Sequence, residues 1–564
     1  MPGTISLENF ERHLERNSFD RKSYQIEGLK WILNNEIHGV AIQASDKPRL
    51  IRGGLIADEM GLGKTIQIIG AIICNFKPHT LIVLPYILLV QWRDIIKNTL
   101  GHSPLVYHGS GKKRITLEQL KEAPIVLTTY GNIATRKKRP VNLLYVVKWD
   151  RVVLDESHHI KNARTKVFEG FGLVSSSIKW LISGTPVHNV KNDLIKPLVA
   201  IGLPIDYCRK AFNFQSKNQA LREEYYKHFS ENFMLRRTKK DVGIELPPCT
   251  EEIIVVPWKI PAVGFASKGY HEMVFQYLDI ADYDRWLEEE NKKRTMLPRD
   301  EVIELDTFGD LITTFTTSYS KYLLVAITRS RQLCFYPNMI KKSVDSMLYI
   351  NPDLEKSADD LKWYEAICCD TSKLDAVISK IHENKDNGNL KIVFTTFHME
   401  ADLIHKRLSE FGFTVEIVDG RVGNAHRTNI FELKPQVLIL QIVAACEGLN
   451  LQAYNEVYIT SPHWNPAVEQ QAIARCHRIG QRKPVKVYKY VMEKMEKNPS
   501  IDDYCMYLQS HKTKISEAMI TGVGIPDKKK QLQIYANPEL EKDHDNDKDQ
   551  EYGSPRGFYK RDDD

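Results

Sequence analysis

The chain carries no closely spaced set of cysteines. Nine are scattered through 564 residues; only Cys368 and Cys369 are neighbours, and no C-x-x-C pair occurs. That pattern excludes zinc ribbons, RING modules and a disulfide framework, and it suits a reducing compartment. Long apolar runs are lacking too. The longest, Leu81 to Val90, is interrupted by Pro85 and is about half of what a membrane span needs. Met1 to Arg16 mix Glu and Arg with few apolar residues, unlike a secretory signal. A soluble intracellular protein with no membrane partner is therefore expected. Nor is there a strong excess of one charge: the net value is +6, mildly basic and weak evidence of any partner.

What is present is an ordinary globular composition, 42% hydrophobic and 27% charged, in a chain long enough for three or four domains. The stretch that organises it is Gly54-Leu55-Ile56-Ala57-Asp58-Glu59-Met60-Gly61-Leu62-Gly63-Lys64-Thr65. Apolar residues before it predict a buried strand, and Thr65 to Ile73 predict a helix with an apolar face. Strand, glycine turn and helix form the context of a phosphate loop. Glycines let backbone N–H groups wrap an anion at the helix start. Lys64 suits the β- and γ-phosphates, and the Thr65 hydroxyl suits Mg²⁺. Asp58 stands where the strict pattern has glycine.

The flanking segments alternate in the same way. His79–Pro85, Pro124–Tyr130, Trp149–Glu156 and Lys179–Pro186 predict buried strands, the last three ending in hydroxyls or acids. With intervening helices they describe an α/β fold, a doubly wound parallel sheet whose ligands bind at the carboxyl edge. Asp155-Glu156 would end one strand there; one carboxylate can hold Mg²⁺ and the other can activate a water. Ser183-Gly184-Thr185 can bond to that pair. Upstream, Gln25 lies on a helix with Tyr24, Gly28, Trp31 and Ile32, and its amide suits the edge of adenine.

From about 205 to 365 the strand pattern fades and helices are predicted over Leu221–Phe233, Ala262–Glu289 and Phe308–Cys334. Met234-Leu235-Arg236-Arg237-Thr238-Lys239-Lys240-Asp241 is expected to be a basic connector between lobes, and Arg136–Pro140 a basic loop. From about 372 a second set of strands begins: Leu390–Phe397, Thr414–Gly420, Gln436–Gln441 and Glu456–Thr460. After it, Gln471, Arg475 and Arg478 are spaced i, i+4 and i+7, which puts one amide and two guanidiniums on one helix face. Such a face suits a planar anion, such as a γ-phosphate in its transition state. The expected division is a lead-in at 1–20, a first lobe at 21–245 with a helical protrusion near 205–245, and a helical protrusion and linker at 246–371. A second lobe at 372–510 and a mostly disordered extension at 511–564 complete it.

These stretches together resemble the SWI/SNF-type family of superfamily-two ATPases, the double-stranded DNA translocases of chromatin remodelling and repair. The matching residues are Ser23–Gly28, Asp58–Thr65, Asp155–His158, Ser183–Pro186, Gly448–Leu451, Trp464–Pro466 and Gln471–Gln481, with Met234–Arg237 and Arg331–Cys334. The likeness runs from Tyr24 to about Tyr490. It implies two RecA-like lobes with helical protrusions between them. It also implies ATP and Mg²⁺ as cofactors, with Gln25, Asp58, Gly61, Gly63, Lys64, Thr65, Gly448 and Gln471 around the nucleotide. Thr65 and Asp155 would hold the metal, Glu156 would position the attacking water, and Arg475 and Arg478 would act as arginine fingers. Thr128, Thr129, Trp464 and Asn465 would lie near the DNA track or the coupling machinery.

The implied activity is that of a DNA-stimulated ATPase moving along duplex DNA, acting on nucleosomes or other DNA-bound proteins, as a monomer. The nucleus is the expected location, or the cytoplasm or a virion for a viral protein. The alternatives are a strand-separating helicase and a catalytically silent, ATP-gated DNA scaffold; the presence of Lys64, Asp155, Glu156, Arg475 and Arg478 weighs against the second. Ser157, His159 and Ala445-Cys446-Glu447-Gly448 depart from the family pattern. Glu447, an acid in place of an apolar residue, bears on DNA coupling more than on hydrolysis.

Overall fold

A computed structural model of the chain describes residues 7–16, 20–43, 48–135, 142–187, 192–214, 216–259, 295–296, 323–340, 369–445, 449–494 and 500–522. The predicted basic loop Arg136–Pro140, the predicted helix Ala262–Glu289, Glu447 and Gly448 lie outside them.

Two seven-stranded sheets dominate. In the first lobe the strands are β3 (Gly53–Ile56), β4 (Thr80–Leu84), β5 (Leu105–Tyr107), β6 (Ile125–Thr129), β7 (Trp149–Asp155), β8 (Ser176–Ile182) and β9 (Met234–Leu235). A separate hairpin, β1 (Val40–Gln43) with β2 (Pro48–Ile51), precedes them. The sheet order is β5-β6-β4-β7-β8-β3-β9, every pair parallel. Helices cover both faces, so the strands are apolar throughout rather than alternating: all five residues of β4 are buried. Apolar layers form on the two sides, one around Leu81, Trp149 and Leu181, the other around Ile68, Ile82 and Trp180.

The second sheet runs β11-β10-β16-β15-β12-β14-β13. Its strands are β10 (Cys249–Val256), β11 (Thr295–Met296), β12 (Leu390–Thr395), β13 (Val415–Val418), β14 (Val437–Gln441), β15 (Tyr454–Ile459) and β16 (Val485–Met492). Again every pair is parallel. The α/β, doubly wound character expected from the sequence is thus present twice.

Four expectations about organisation change. The stretch 246–371, expected to be helical, opens with β10, whose eight residues pair with β16 from Cys249–Val485 to Val256–Met492. Its first half, Cys249-Thr250-Glu251-Glu252, is polar and its partner lies far along the chain, so local periodicity conceals it. The basic connector is not wholly a connector: Met234 and Leu235 are an edge strand paired with Leu55 and Ile56. The lead-in at 1–20 contains a helix, Leu7–Arg16, with Phe10 and Leu14 buried. Phe10 packs against the glycine of the loop helix: a Cβ on Gly70 would lie 2.9 Å from its ring.

The fourth change is at the C-terminal end. The expected boundary between 510 and 511 falls inside a 21-residue helix, Ile501–Thr521, roughly 30 Å long, and the stretch expected to be disordered, after about 525, lies outside the described residues. Ile501 and Tyr504 join the second lobe's core, and Met519 joins the first lobe's. Its end is tied down by Arg222, which donates to Gly522 O at 2.6 Å, and by the Tyr226 hydroxyl, which donates to the Met519 and Ile520 carbonyls.

Candidate functional site

β3 delivers the glycine loop, and the helix Lys64–Cys74 follows it. Gly61 and Gly63 sit at φ +93° and +79°, conformations that a side chain rarely tolerates. Gly63 also has no room: a Cβ there would lie 2.3 Å from Gln25 Nε2. Gln25 is buried and its amide donates to Leu62 O at 3.2 Å. The predicted adenine-reading glutamine is therefore held against the loop itself. Lys64 curls back, donating to the carbonyls of Asp58 at 2.7 Å and Glu59 at 3.3 Å. Burial pushes its ammonium below the ordinary lysine value, opposed by the charges of Glu156, Asp58 and Asp155. Thr65, next in the helix, is half-buried.

Asp58 does not face the loop's interior as the expected nucleotide contact. Its carboxylate is fully buried and saturated by Arg237, whose Nε donates at 3.0 Å and whose second nitrogen donates to the other oxygen, and by Gln67 Nε2 at 3.0 Å. An anion pointed at phosphates would repel them; turned inward and paired, it fixes the loop's backbone. Arg237 and its neighbours were read in the sequence only as a basic run. The signal that could have placed them is the acidic pair inside the loop, because Asp58 and Glu59 each require a counterion once buried.

β7 carries Asp155 and Glu156 to the same edge. Asp155 accepts from the buried Trp92 indole at 2.7 Å and from the Glu156 amide at 3.0 Å, and its carbonyl accepts from the Tyr130 hydroxyl at 2.6 Å. Burial and the charge of Glu156 push its carboxyl up to about 6. Glu156 takes the left-handed conformation at φ +51°, an uncommon state for a side-chain-bearing residue and one that clusters at working sites. Burial resists its ionisation, but His158, at 3.4 Å, with Lys64 and Arg475, outweighs it and the carboxyl lies below its ordinary value. Trp92 and Tyr130 had no assigned role from sequence at this carboxylate pair; a lone indole N–H in an apolar helix was the available cue.

β8 ends in Ser183-Gly184-Thr185. Gly184 lies against the loop: a Cβ there would be 2.6 Å from Met60 and 3.4 Å from Lys64 Nζ. From the second lobe comes the helix Pro466–Cys476, capped by Asn465, whose side chain accepts from Ala467 N. Gln471 Nε2 donates to Thr185 Oγ1 at 2.9 Å, and Arg475 is near enough to influence Glu156. The helix ends at Cys476, so Arg478 does not share its face as the i+7 spacing predicted. It lies in the turn beyond, where burial and the charge of Arg475 lower its guanidinium from the ordinary value.

Thr128 and Thr129, expected near the DNA track or the coupling machinery, are buried: Thr128 donates to Tyr107 O at 2.9 Å, and Thr129 Oγ1 lies 3.1 Å from His108 Nδ1. Trp464 packs beside the second lobe's core.

The donor set fits a nucleotide with a divalent cation. Two adjacent carboxylates, a hydroxyl and a desolvated ammonium crowd one sheet edge, and Asp155 is raised there by burial and by the charge of Glu156. Thr65 and Asp155 would hold a divalent cation, whose charge would offset the cost of keeping Asp155 ionised there.

The sequence matches the SNF2-related domain over residues 24–307 and the helicase conserved C-terminal domain over 372–480. Among curated proteins it is 26% identical over 503 residues to the human chromodomain-helicase-DNA-binding protein 9, covering 84% of this chain and 16% of that protein. It is 26% identical over 503 residues to the ATP-dependent DNA helicase DDM1 of Arabidopsis thaliana, covering 83% and 58%. With the DNA repair protein RAD5B of the same plant it shares 24% over 634 residues, covering 85% and 46%. The chain thus spans only part of the length of each. The Sulfolobus solfataricus SWI2/SNF2 ATPase core in complex with dsDNA is 21% identical and covers 89% of this chain and 94% of that one. The TM-score between the two is 0.35.

Proposed function

The chain belongs to the SNF2-related family, and from that premise we propose that it is an ATP-dependent, double-stranded-DNA-stimulated translocase. In this reading it hydrolyses ATP to move along duplex DNA and to remodel or displace proteins bound there. It acts as a monomer, in the nucleus or, for a viral protein, in the cytoplasm or virion. Among the described residues no helix is long and apolar enough to cross a membrane.

One observation carries the hydrolytic part: Glu156 directly follows β7, with its carboxyl under the influence of Lys64 from its own lobe and Arg475 from the other. A water held by Glu156, opposite a γ-phosphate gripped by Lys64, would be aligned for attack. Arg475, with Arg478 beyond it, would meet charge as it develops on the phosphoryl oxygens. Mg²⁺, held by Thr65 and Asp155, would supply charge neutralisation on the phosphates. Trp92 holds the Asp155 carboxylate in one orientation, so its oxygens need not reorganise. Gln471, joined to Thr185 across the lobes, makes the arginine helix sensitive to the Ser-Gly-Thr turn beside Lys64. The cycle is then closure on ATP and reopening after hydrolysis.

The part concerning DNA rests on family membership and on the mildly basic chain. Phosphate contacts carry the grip, so affinity falls steeply with salt and shows little sequence preference. The test is steady-state hydrolysis without nucleic acid, with single strands and with duplex, at low and moderate salt, beside Lys64→Ala. Duplex stimulation that salt abolishes and the variant lacks supports the translocase. Preference for single strands moves the assignment to a helicase, and hydrolysis equal to that of Lys64→Ala overturns it.

A further inference from the structure

The segment after β9 continues to hold the phosphate loop. Ala57 N donates to Leu235 O at 2.8 Å and Glu59 N to Arg237 O at 2.9 Å, so loop and segment run on as a strand pair beyond the sheet. Arg236 donates to Ala57 O at 2.7 Å, and Arg237 grips Asp58. Lys239 closes the contact twice: its backbone N–H donates to Glu59 Oε2 at 2.8 Å and its ammonium to Glu59 Oε1 at 2.7 Å. Its stem lies beside Gly61, 3.8 Å from where a Cβ would stand.

The segment then turns compactly. Thr238 N donates to Asp241 Oδ2 at 2.7 Å, and Asp241 N donates back to Thr238 Oγ1 at 3.2 Å. Ile244 N donates to Lys239 O at 2.9 Å. It ends against the arginine turn of the other lobe: His477 Nε2–H donates to Pro247 O at 2.7 Å. His477 sits between Arg475 and Arg478. Val485 N donates to Pro248 O at 2.9 Å, and the next residue opens β10.

We propose that residues 236–248 are a coupling strap: anchored on Glu59 by Lys239 and on the arginine turn by His477, the segment ties the position of Arg475 and Arg478 to the state of the phosphate loop. A slack linker would not transmit a displacement. This one is hydrogen-bonded at both ends and folded on itself between them. A loop that shifts when phosphates enter draws on Lys239 through Glu59, and the pull arrives at the Pro247 carbonyl beside the arginines. Lys239 and His477 are thus positioning residues, acting through Glu59 and through the arginine turn.

The inference rests on the ATPase reading for its consequence but not for its geometry, and two measurements separate them. The first is amide hydrogen exchange on the nucleotide-free chain: Lys239→Ala accelerates exchange at residues 477–481 by about 10-fold, while Lys239→Arg does not. The second is a cycle of Lys239→Ala, His477→Ala and the double variant. Each single lowers turnover about 10-fold, with nucleotide affinity within about 3-fold, and the double is no worse than the worse single. Unchanged exchange at 477–481 in Lys239→Ala, or losses that multiply in the double, overturns the strap. A wild-type chain without hydrolysis overturns the ATPase reading instead and leaves the exchange result to decide the strap.

Discussion

Gln471 and Thr185 meet across the two lobes: the amide of one donates to the hydroxyl of the other at 2.9 Å, in a buried contact. Thr185 follows Gly184, where a Cβ would lie 3.4 Å from Lys64 Nζ, and Gln471 lies one helical turn before Arg475.

Gln471→Ala removes this link between the lobes. Because the contact lies between the lobes, its loss falls on the assembled state rather than on nucleotide capture. Turnover should drop about 10-fold to 100-fold while nucleotide affinity stays within a few-fold. Steady-state hydrolysis beside equilibrium nucleotide binding distinguishes this from simple loss of affinity. An affinity loss equal to the turnover loss rejects the lobe-linking role.

Asp155→Asn sets stability against activity. Burial and the neighbouring Glu156 charge raise the Asp155 carboxyl to about 6, so at neutral pH the folded, metal-free protein holds an ionised group that the unfolded chain holds more easily. Asparagine keeps an oxygen for the Trp92 indole and drops the charge. The metal-free variant should be more stable by about 1–3 kcal/mol at pH 7, with hydrolysis lost. Thermal melts with and without Mg²⁺–nucleotide check it. A variant less stable than the wild type in both conditions contradicts the charge-crowding account.

The two-lobed α/β architecture was legible because parallel strands buried on both faces are continuous apolar runs, and Leu81–Leu84 or Val152–Leu154 admit few other interpretations. The glycine turn before the helix Lys64–Cys74 and the acids at the end of β7 were legible because each signal is local to a few residues. What escaped was non-local. β10 is half polar and pairs with a strand whose sequence lies far away. Asp58 looked like a ligand contact because nothing near it in sequence reveals Arg237. The arginine face failed at Arg478 because the spacing ignores where the helix stops: Cys476 is buried, His477 is the C-cap, and the chain turns there.

The link of Asp419 to Arg421 and His398 gives a pH signature. Burial opposes ionisation of Asp419, but Arg421 Nε at 2.9 Å and His398 Nδ1 at 2.9 Å, with the Arg421 amide at 2.9 Å, overcome it and hold the carboxyl at about 2. A depressed folded value means that the unfolded chain binds the proton first as pH falls. The stabilisation is therefore complete above about pH 4 and fades as pH drops toward 2. Because Arg421 is half-exposed, Asp419→Asn should cost only about 1–2 kcal/mol at pH 7. Chemical denaturation of both proteins at pH 7 and pH 3 reads the difference. A gap that widens toward acid would have the wrong sign.

The helix Ile501–Thr521 belongs to two cores, and its ends should respond separately to truncation. Met519 is fully buried in the first lobe's apolar layer, so Met519→Ala leaves a cavity worth about 2–4 kcal/mol of local stability. The far end is held by different groups: Asp502 pairs with Lys373 at 2.6 Å, both side chains fully buried, and Ile501 packs in the second lobe. Met519→Ala should therefore speed amide exchange over residues 515–521 by about 10-fold or more and leave 501–508 near the wild-type rate. Asp502→Asn, which strands a buried ammonium, should do the reverse. Exchange that rises equally along the whole helix in both variants would show one cooperative element docked as a unit, and the separate anchoring would be wrong.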